Sequence, residues 1–143
     1  MAVVVALSDS HRGEAIHHRA ARRAEGSLGL DSAEVAKIIA DVAVDKKAAD
    51  VVILDIRSQS VIADYFIICT GNNPRQIQAI AGAVEDKLDE IHITAKGFEG
   101  AAENGWMLLD CGDVIVHIFG PLERDFYRLE RLWSAAPTVV YLQ

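Results

Sequence analysis

The spacing of hydrophobic residues predicts two amphipathic helices in the first two thirds of the chain. Asp31 precedes the first helical pattern, and Glu34 stands three residues later, as in a capping box. This arrangement predicts a helix over about residues 32–47. Asn73 and Pro74 open the second pattern as an N-cap residue and a first-turn proline. The apolar stripe of the second helix consists of Ile77, Ile80, Ala81, Val84 and Leu88.

Short runs rich in β-branched residues predict the strands. The predicted strands cover residues 51–56, 63–70, 92–99, 106–111 and 114–119, of which 92–99 has the weakest pattern. The last two runs meet at Gly112 and Asp113. This order suits a tight hairpin turn in which glycine takes a positive φ.

A third helical pattern opens at Gly120 and Pro121 and predicts a last helix that ends near Trp133. The apolar face of this helix consists of Phe126, Leu129, Leu132 and Trp133. The order of elements is therefore α-β-β-α-β-β-β-α. This order predicts an α/β (α+β) fold in which helices pack on a mixed five-stranded sheet.

The length of 143 residues is typical of one domain with a substantial core. Residues 1–29 contain few large apolar side chains, so we expect a flexible N-terminal extension there. The domain itself is predicted over residues 30–135. Residues 136–143 follow as a C-terminal tail, because the pattern ends at Pro137.

Charge is distributed unevenly along the chain, whose formal net charge is −7. Residues 1–29 hold four arginines against three acidic residues, and residues 30–143 hold 10 basic against 18 acidic residues, a balance of −8. A domain of this charge is a poor general binder of nucleic acid but would be attracted to a basic protein surface. The segment HHRAARR is either a solvated tail or a basic arm that touches RNA. Its adjacent His17 and His18 have a poor spacing for metal ligands.

The two cysteines and the hydropathy pattern indicate the cellular compartment in which the protein is expected. Cys69 and Cys111 are far apart and form no CxxC pair, which favours a reducing cytoplasm over a disulfide framework. The sequence has no apolar run long enough to span a membrane. The opening MAVVVAL lacks the basic region of a signal peptide.

The candidate residues for catalysis are poorly arranged. Metal-dependent phosphoryl or nucleotidyl transfer needs converging carboxylates, but Asp55 is followed by Arg57 where a second carboxylate is wanted. Asp110 and Asp113 flank a turn, so we expect Asp110 to face solvent and Asp113 to shape the turn. No metal or cofactor is expected from this pattern.

Cysteine catalysis is also a weak interpretation. Cys111 and His117 lie on paired strands, yet Cys111 would face Val114 near the turn and His117 would lie farther along. No acidic or amide residue is evident to orient the histidine. We therefore expect a packed cysteine and a hydrogen-bonded strand histidine.

The hairpin over residues 105–119 is a better candidate for a docking surface. Strand alternation places Trp106, Leu108 and Asp110 on one face and Met107, Leu109 and Cys111 on the other. Ile115, His117 and Phe119 alternate with Val114, Val116 and Ile118 in the second strand. An apolar patch that carries Trp and is bordered by Asp has the composition of a protein interface, although Trp106 could instead be packed under the loop at 100–105.

Four segments together resemble the ribosomal silencing factor family, also called the Iojap family. They are ADYFIICTG (63–71), RQIQAIAGAVEDKL (75–88), GWMLLDCGDVIVHIF (105–119) and RDFYRLERLW (124–133). The resemblance covers about residues 31–135 in the same order and spacing. It implies a nucleotidyltransferase-like fold without catalytic carboxylates and a protein that is not an enzyme.

The resemblance also implies a function. Members bind the large ribosomal subunit through ribosomal protein uL14 and sterically block joining of the small subunit, which lowers translation when nutrients are short. By position in the family's motifs, the implied partner-binding residues are Trp106, Asp110, Asp113, His117, Asp64 and Tyr65. Leu108 and Cys111 are further candidates from the same strand of the hairpin. Cys111 departs from the aromatic residue or leucine that members often have there. Gly120 and Pro121 replace the polar residues that usually open the last helix.

Two other hypotheses remain open from the sequence. One is a degenerate nucleotidyltransferase-like enzyme that binds metal and nucleotide. The other is a homodimer, formed through the apolar hairpin, that exists when the protein is off the ribosome.

Overall fold

The computed structural model describes residues 29–142. The N-terminal extension predicted over residues 1–29 therefore lies almost wholly outside the described residues, as do HHRAARR and its two histidines. The helices are α1 (Ser32–Asp45), α2 (Pro74–Glu90), α3 (Pro121–Tyr127) and α4 (Leu129–Leu132), with a short 3₁₀ turn at Ala102–Asn104. The strands are β1 (Ala49–Asp55), β2 (Tyr65–Thr70), β3 (Gly97–Ala101), β4 (Trp106–Asp110), β5 (Val114–Phe119) and β6 (Thr138–Leu142).

The strands form one mixed sheet in the order β3-β4-β5-β2-β1-β6. β2 and β5 pair in parallel, and the remaining pairs in residues 29–142 are antiparallel. The predicted α/β (α+β) class is thus confirmed, but the predicted number of five strands is wrong. Thr138–Leu142, which the sequence indicated as a tail, adds a sixth strand alongside β1.

Helix starts follow the local signals in the sequence. The Asp31 carboxylate accepts a hydrogen bond from the Glu34 amide at 2.9 Å. The Asn73 side chain accepts one from the Gln76 amide at 2.9 Å. These bonds satisfy amide groups that have no partner in the first turn of a helix, which explains why α1 and α2 begin where they do.

The sheet has a core on each face. α1 and α2 cover the first face, where Ile39, Ile53, Ile67, Val84 and Val116 belong to one buried cluster. The second face carries a smaller cluster that is covered by α3, α4 and the residues leading to Ala136. β2 and β5 are buried on both faces, which explains why their sequences are almost continuously apolar.

The last predicted helix is broken into α3 and α4. Arg128 lies between them in the left-handed region, with φ 47° and ψ 55°. The Arg124 guanidinium joins the two pieces, because it donates to Glu130 Oε2 at 2.7 Å and to Thr70 Oγ1 at 2.9 Å. The break turns Leu129 and Trp133 inward, while Phe126 and Leu132 face solvent. The predicted apolar face is therefore correct for two of its four residues.

Candidate functional site

The β4–β5 hairpin has the predicted tight turn. The Cys111 amide donates to the Val114 carbonyl oxygen at 2.9 Å, and Gly112 has φ 89°. The Asp110 carboxylate accepts from the Gly112 amide at 2.9 Å. The predicted positive φ at glycine is confirmed. Asp110, which was expected to face solvent, is only partly exposed and holds the turn through this hydrogen bond.

The faces of the hairpin also follow the predicted alternation. Leu108, Ile115 and Phe119 belong to the cluster on the second face, whereas Leu109, Val116 and Ile118 belong to the cluster beneath α1 and α2. The cross-strand pairs that include second-face residues are Trp106–Phe119, Leu108–His117 and Asp110–Ile115. The hairpin lies inside the sheet, since β3 flanks β4 and β2 flanks β5.

Trp106 lies in a group of aromatic rings at the start of β4. Its ring centroid is 4.7 Å from that of Tyr127, 5.0 Å from Phe119 and 5.9 Å from His117. We call these four residues the aromatic cluster. Trp106 and Tyr127 are partly exposed, whereas Phe119 and His117 are buried. The indole is therefore packed against other rings and remains partly exposed to solvent.

A hydrogen bond links the indole to the buried histidine. Trp106 Nε1 donates to His117 Nδ1 at 3.2 Å. Indole nitrogen is a donor only, so Nδ1 must be the bare nitrogen and Nε2 must carry the proton. Burial lowers the pKa of His117 to about 3, which keeps the ring neutral near pH 7.

Two buried donors on this face have no hydrogen-bond acceptor among the described residues. They are His117 Nε2 and Trp133 Nε1. Both rings pack edge-on against Phe66, with centroid distances of 4.7 Å for His117 and 5.1 Å for Trp133. A buried donor without a partner costs about 1–3 kcal/mol.

Three exposed apolar side chains lie on α3 and α4, the helices that follow β5. Leu122 is 80% exposed, Phe126 76% and Leu132 60%. We call these three residues the helix patch. The Phe126 ring contacts Tyr127 at 5.0 Å between centroids, and this contact joins the helix patch to the aromatic cluster. The helix patch was not expected from the sequence, because the periodicity placed Phe126 and Leu132 on the buried side of an unbroken helix.

Five of the eight predicted partner-binding residues are buried. They are Leu108, Cys111, His117, Asp64 and Tyr65, with exposures of 7% or less. Their side chains pack within the chain and do not form accessible surface, because the hairpin is internal to the sheet and both faces are covered. Trp106, Asp110 and Asp113 are partly exposed, and a contact with a partner remains a prediction for them.

Asp64 and Tyr65 connect the turn to the rest of the fold. Their amides donate to the Asp113 carbonyl oxygen at 2.7 and 3.1 Å. The Asp64 carboxylate accepts from Ser32 Oγ at 2.7 Å, which ties it to the start of α1. The structure thus gives Asp64 a role in holding α1 and the hairpin turn together.

The candidate catalytic residues are not brought together. Within residues 29–142, no group of three or more His, Cys, Asp or Glu is placed to hold a metal ion. Asp55 pairs with Arg57 at 2.7 Å, and the hydrogen bond from Arg57 holds the pKa of Asp55 below its usual value. Cys69 and Cys111 are free and buried, and burial raises the pKa of both thiols to about 12. Such thiols are poor nucleophiles.

No helix in the described part of the chain is both long and apolar enough to cross a membrane. The fold and its packed aromatic cluster define a mixed-sheet α/β domain with helices on both faces of the sheet. Similarity to known proteins identifies the class more closely. Residues 30–143 match the family described as "ribosomal silencing factor during starvation".

Individual relatives agree with this match. The chain is 45% identical over 108 residues to the ribosomal silencing factor RsfS of Bacillus subtilis, which covers 76% of this chain and 92% of that protein. A crystal structure of protein CV0518 from Chromobacterium violaceum superposes with a TM-score of 0.71 at 34% identity, covering 73% of this chain and 88% of the other. A crystal structure of a protein from Bacillus halodurans gives a TM-score of 0.64 at 41% identity, covering 73% of this chain and 94% of the other.

The chain belongs to the ribosomal silencing factor family. This membership confirms the resemblance found in the four sequence segments. It also groups the chain with silencing factors and not with enzymes.

Proposed function

We propose that this protein is a translational repressor that binds the large ribosomal subunit through ribosomal protein uL14 and sterically blocks joining of the small subunit. The observation that carries the proposal is the continuity of the partly exposed Trp106 with the helix patch, in a chain of the silencing family. In this mode of action the bound protein is a steric obstacle to the small subunit, and no catalysis is required. It takes place in the cytoplasm, where free subunits meet.

The exposed apolar surface supports docking on a protein. Leu122, Phe126 and Leu132 are exposed on α3 and α4, and Phe126 contacts the aromatic cluster through Tyr127. Exposed apolar side chains of this kind often belong to an interface with another protein. Aromatic residues are also frequent energetic anchors of interfaces. We propose that Trp106 and Phe126 are the anchors and that Asp110 and Asp113 border the contact.

Charge supports a basic partner. Residues 30–143 carry a balance of −8, which would draw the domain toward a positively charged ribosomal protein. The same charge disfavours extensive contact with RNA, since phosphate contacts need clustered Lys and Arg. Raising the salt concentration should therefore slow association.

Phe126→Ala tests the proposed surface. Phe126 is 76% exposed, so the substitution should leave the fold intact and weaken binding by about 1–2 kcal/mol, or roughly 5- to 30-fold. Sucrose-gradient co-sedimentation with free large subunits, and titration of purified uL14, would measure the loss.

Phe98→Ala is the matched control. Phe98 is 44% exposed and pairs with Leu109, a residue of the opposite sheet face. This variant should bind as the wild type does. Equal loss in both variants would contradict the assigned surface, and a wild-type protein that stays at the top of the gradient at moderate salt would contradict the function.

A second proposal is that two copies pair when the protein is off the ribosome. The contact would use the exposed helix patch and not the hairpin expected from the sequence, because the hairpin lies inside the sheet. In that case dimerisation and docking compete for the same side chains. Light scattering of the wild type and Phe126→Ala at several concentrations, with and without uL14, follows both states. A dimer that persists unchanged when uL14 binds would contradict the competition.

A further inference from the structure

We infer that His117 is a positioning residue whose Nδ1 holds the Trp106 indole in the orientation that docking requires. This inference rests on the proposed function and adds to it a residue that orients the docking side chain. His117 is 0% exposed, so it acts through Trp106 and does not touch a partner. Trp106 is the side chain that connects this buried ring to solvent.

The packing fixes the position of the acceptor. The His117 ring lies edge-on to Phe66 at 4.7 Å between centroids and parallel to Phe119 at 6.2 Å. A ring held in this way has little freedom to rotate. Its Nδ1 therefore presents a fixed acceptor to Trp106 Nε1, 3.2 Å away.

The hydrogen bond selects one orientation of the indole. Trp106 also packs against Phe119 and Tyr127, but contacts between rings tolerate several tilts, whereas a hydrogen bond is directional. With the indole N–H turned toward His117, the remaining exposed part of Trp106 is apolar. An indole that had lost this bond would turn its N–H toward water and present a different edge.

Stability alone does not explain a histidine at this position. A phenylalanine would supply a ring of similar size to the Phe66 and Phe119 contacts without a buried polar atom. The histidine instead leaves Nε2 without an acceptor among the described residues. The feature that histidine adds is the acceptor for Trp106.

NMR of the free protein tests the inference at the hydrogen bond. The chain has two tryptophans, so Trp133→Phe identifies the Trp106 indole N–H signal. We expect the neutral His117 ring to carry its proton on Nε2. We also expect Trp106 indole exchange to accelerate at least tenfold in His117→Phe and to return to near the wild-type rate in His117→Asn, whose Oδ1 replaces Nδ1 as acceptor.

Two results on the free protein would overturn the inference. One is a wild-type His117 protonated on Nδ1, which needs no variant to observe. The other is equal indole exchange in the wild type and His117→Phe. Thermal unfolding of both variants shows that they are folded before exchange is compared.

Binding to large subunits tests the consequence. His117→Phe should bind roughly tenfold more weakly than the wild type, and His117→Asn should bind within about threefold of it. A His117→Phe variant that has lost indole protection but binds as the wild type would overturn the positioning role. If the wild type itself does not bind, the proposed function fails, while the NMR result still reports separately on the hydrogen bond.

Discussion

His117 combines a stabilising and a destabilising contribution in one buried ring. Its aromatic contacts contribute about 0.5–1.5 kcal/mol each, and the bond from Trp106 satisfies one nitrogen. The other nitrogen has no acceptor among the described residues. Burial also disfavours the charged form of this ring. Acidic pH should therefore destabilise the folded protein through His117.

The free energy of unfolding should decrease as the pH falls, and His117 should account for part of this decrease. The unfolded histidine binds a proton below about pH 6.5, whereas burial lowers its pKa to about 3 in the folded state. Between these values the unfolded chain holds the extra proton. The free energy of unfolding should therefore decrease by up to about 1.4 kcal/mol for each unit that the pH falls.

Urea denaturation at pH 7.5, 6 and 5 would measure this dependence. His117→Asn removes the titrating ring and leaves the other groups in place, so its stability should change less over the same range. Parallel curves for the two proteins would contradict the pH effect.

At the scale of elements, one glycine allows the edge strand β3 to lie close to the backbone of Trp106. β3 is the edge strand beside β4, and Gly100 has φ 81° within it. A Cβ at Gly100 would collide with the Trp106 carbonyl oxygen. The close approach of β3 to the first residue of β4 therefore depends on a glycine there.

Gly100→Ala should destabilise the protein by about 2 kcal/mol, because it combines a positive φ with a steric collision. Gly97→Ala, at the other end of β3, is a matched control, since a Cβ there meets nothing within 4 Å. We expect the control to change stability by less than about 1 kcal/mol. Thermal unfolding would compare the two variants. Equal losses of stability would contradict the predicted steric effect at Gly100.

At the scale of the whole molecule, β6 completes the sheet. It pairs with β1 from Val51↔Leu142 to Leu54↔Thr138, and the Asp55 amide donates to the Pro137 carbonyl oxygen at 2.9 Å. Residues Val51, Val52, Ile53 and Leu54 of β1 are all buried. Without β6 the backbone of β1 would become an exposed edge with strongly apolar side chains.

A chain that ends at residue 135 should lose about 2 kcal/mol or more of stability, because β1 loses one of its two neighbours. It should also aggregate more readily through the exposed edge. Calorimetry and light scattering would measure both effects. A chain that begins at residue 30 is the control, and we expect it to unfold at the temperature of the full chain.

The sequence was sufficient for features that depend on near neighbours. Asp31 and Asn73 specify helix starts through bonds to amides three residues away, and Gly112 sets the turn of a hairpin whose strands alternate with period two. The four motif segments were likewise sufficient to identify the family. The candidate site was predicted less well, because Trp106 was recognised but the helix patch was not.

Only the tertiary structure decided features that depend on distant partners. TVVYL becomes a strand because β1 offers it an edge, and no local signal marks that partner. Arg128 takes a left-handed backbone, which local propensity disfavours, so that Leu129 and Trp133 reach the core while Phe126 and Leu132 stay in solvent. His117 contacts Trp106 of the neighbouring strand on the second face of the sheet, where Phe66 also packs against it. Its burial and its tautomer therefore follow from packing, which periodicity along the chain does not specify.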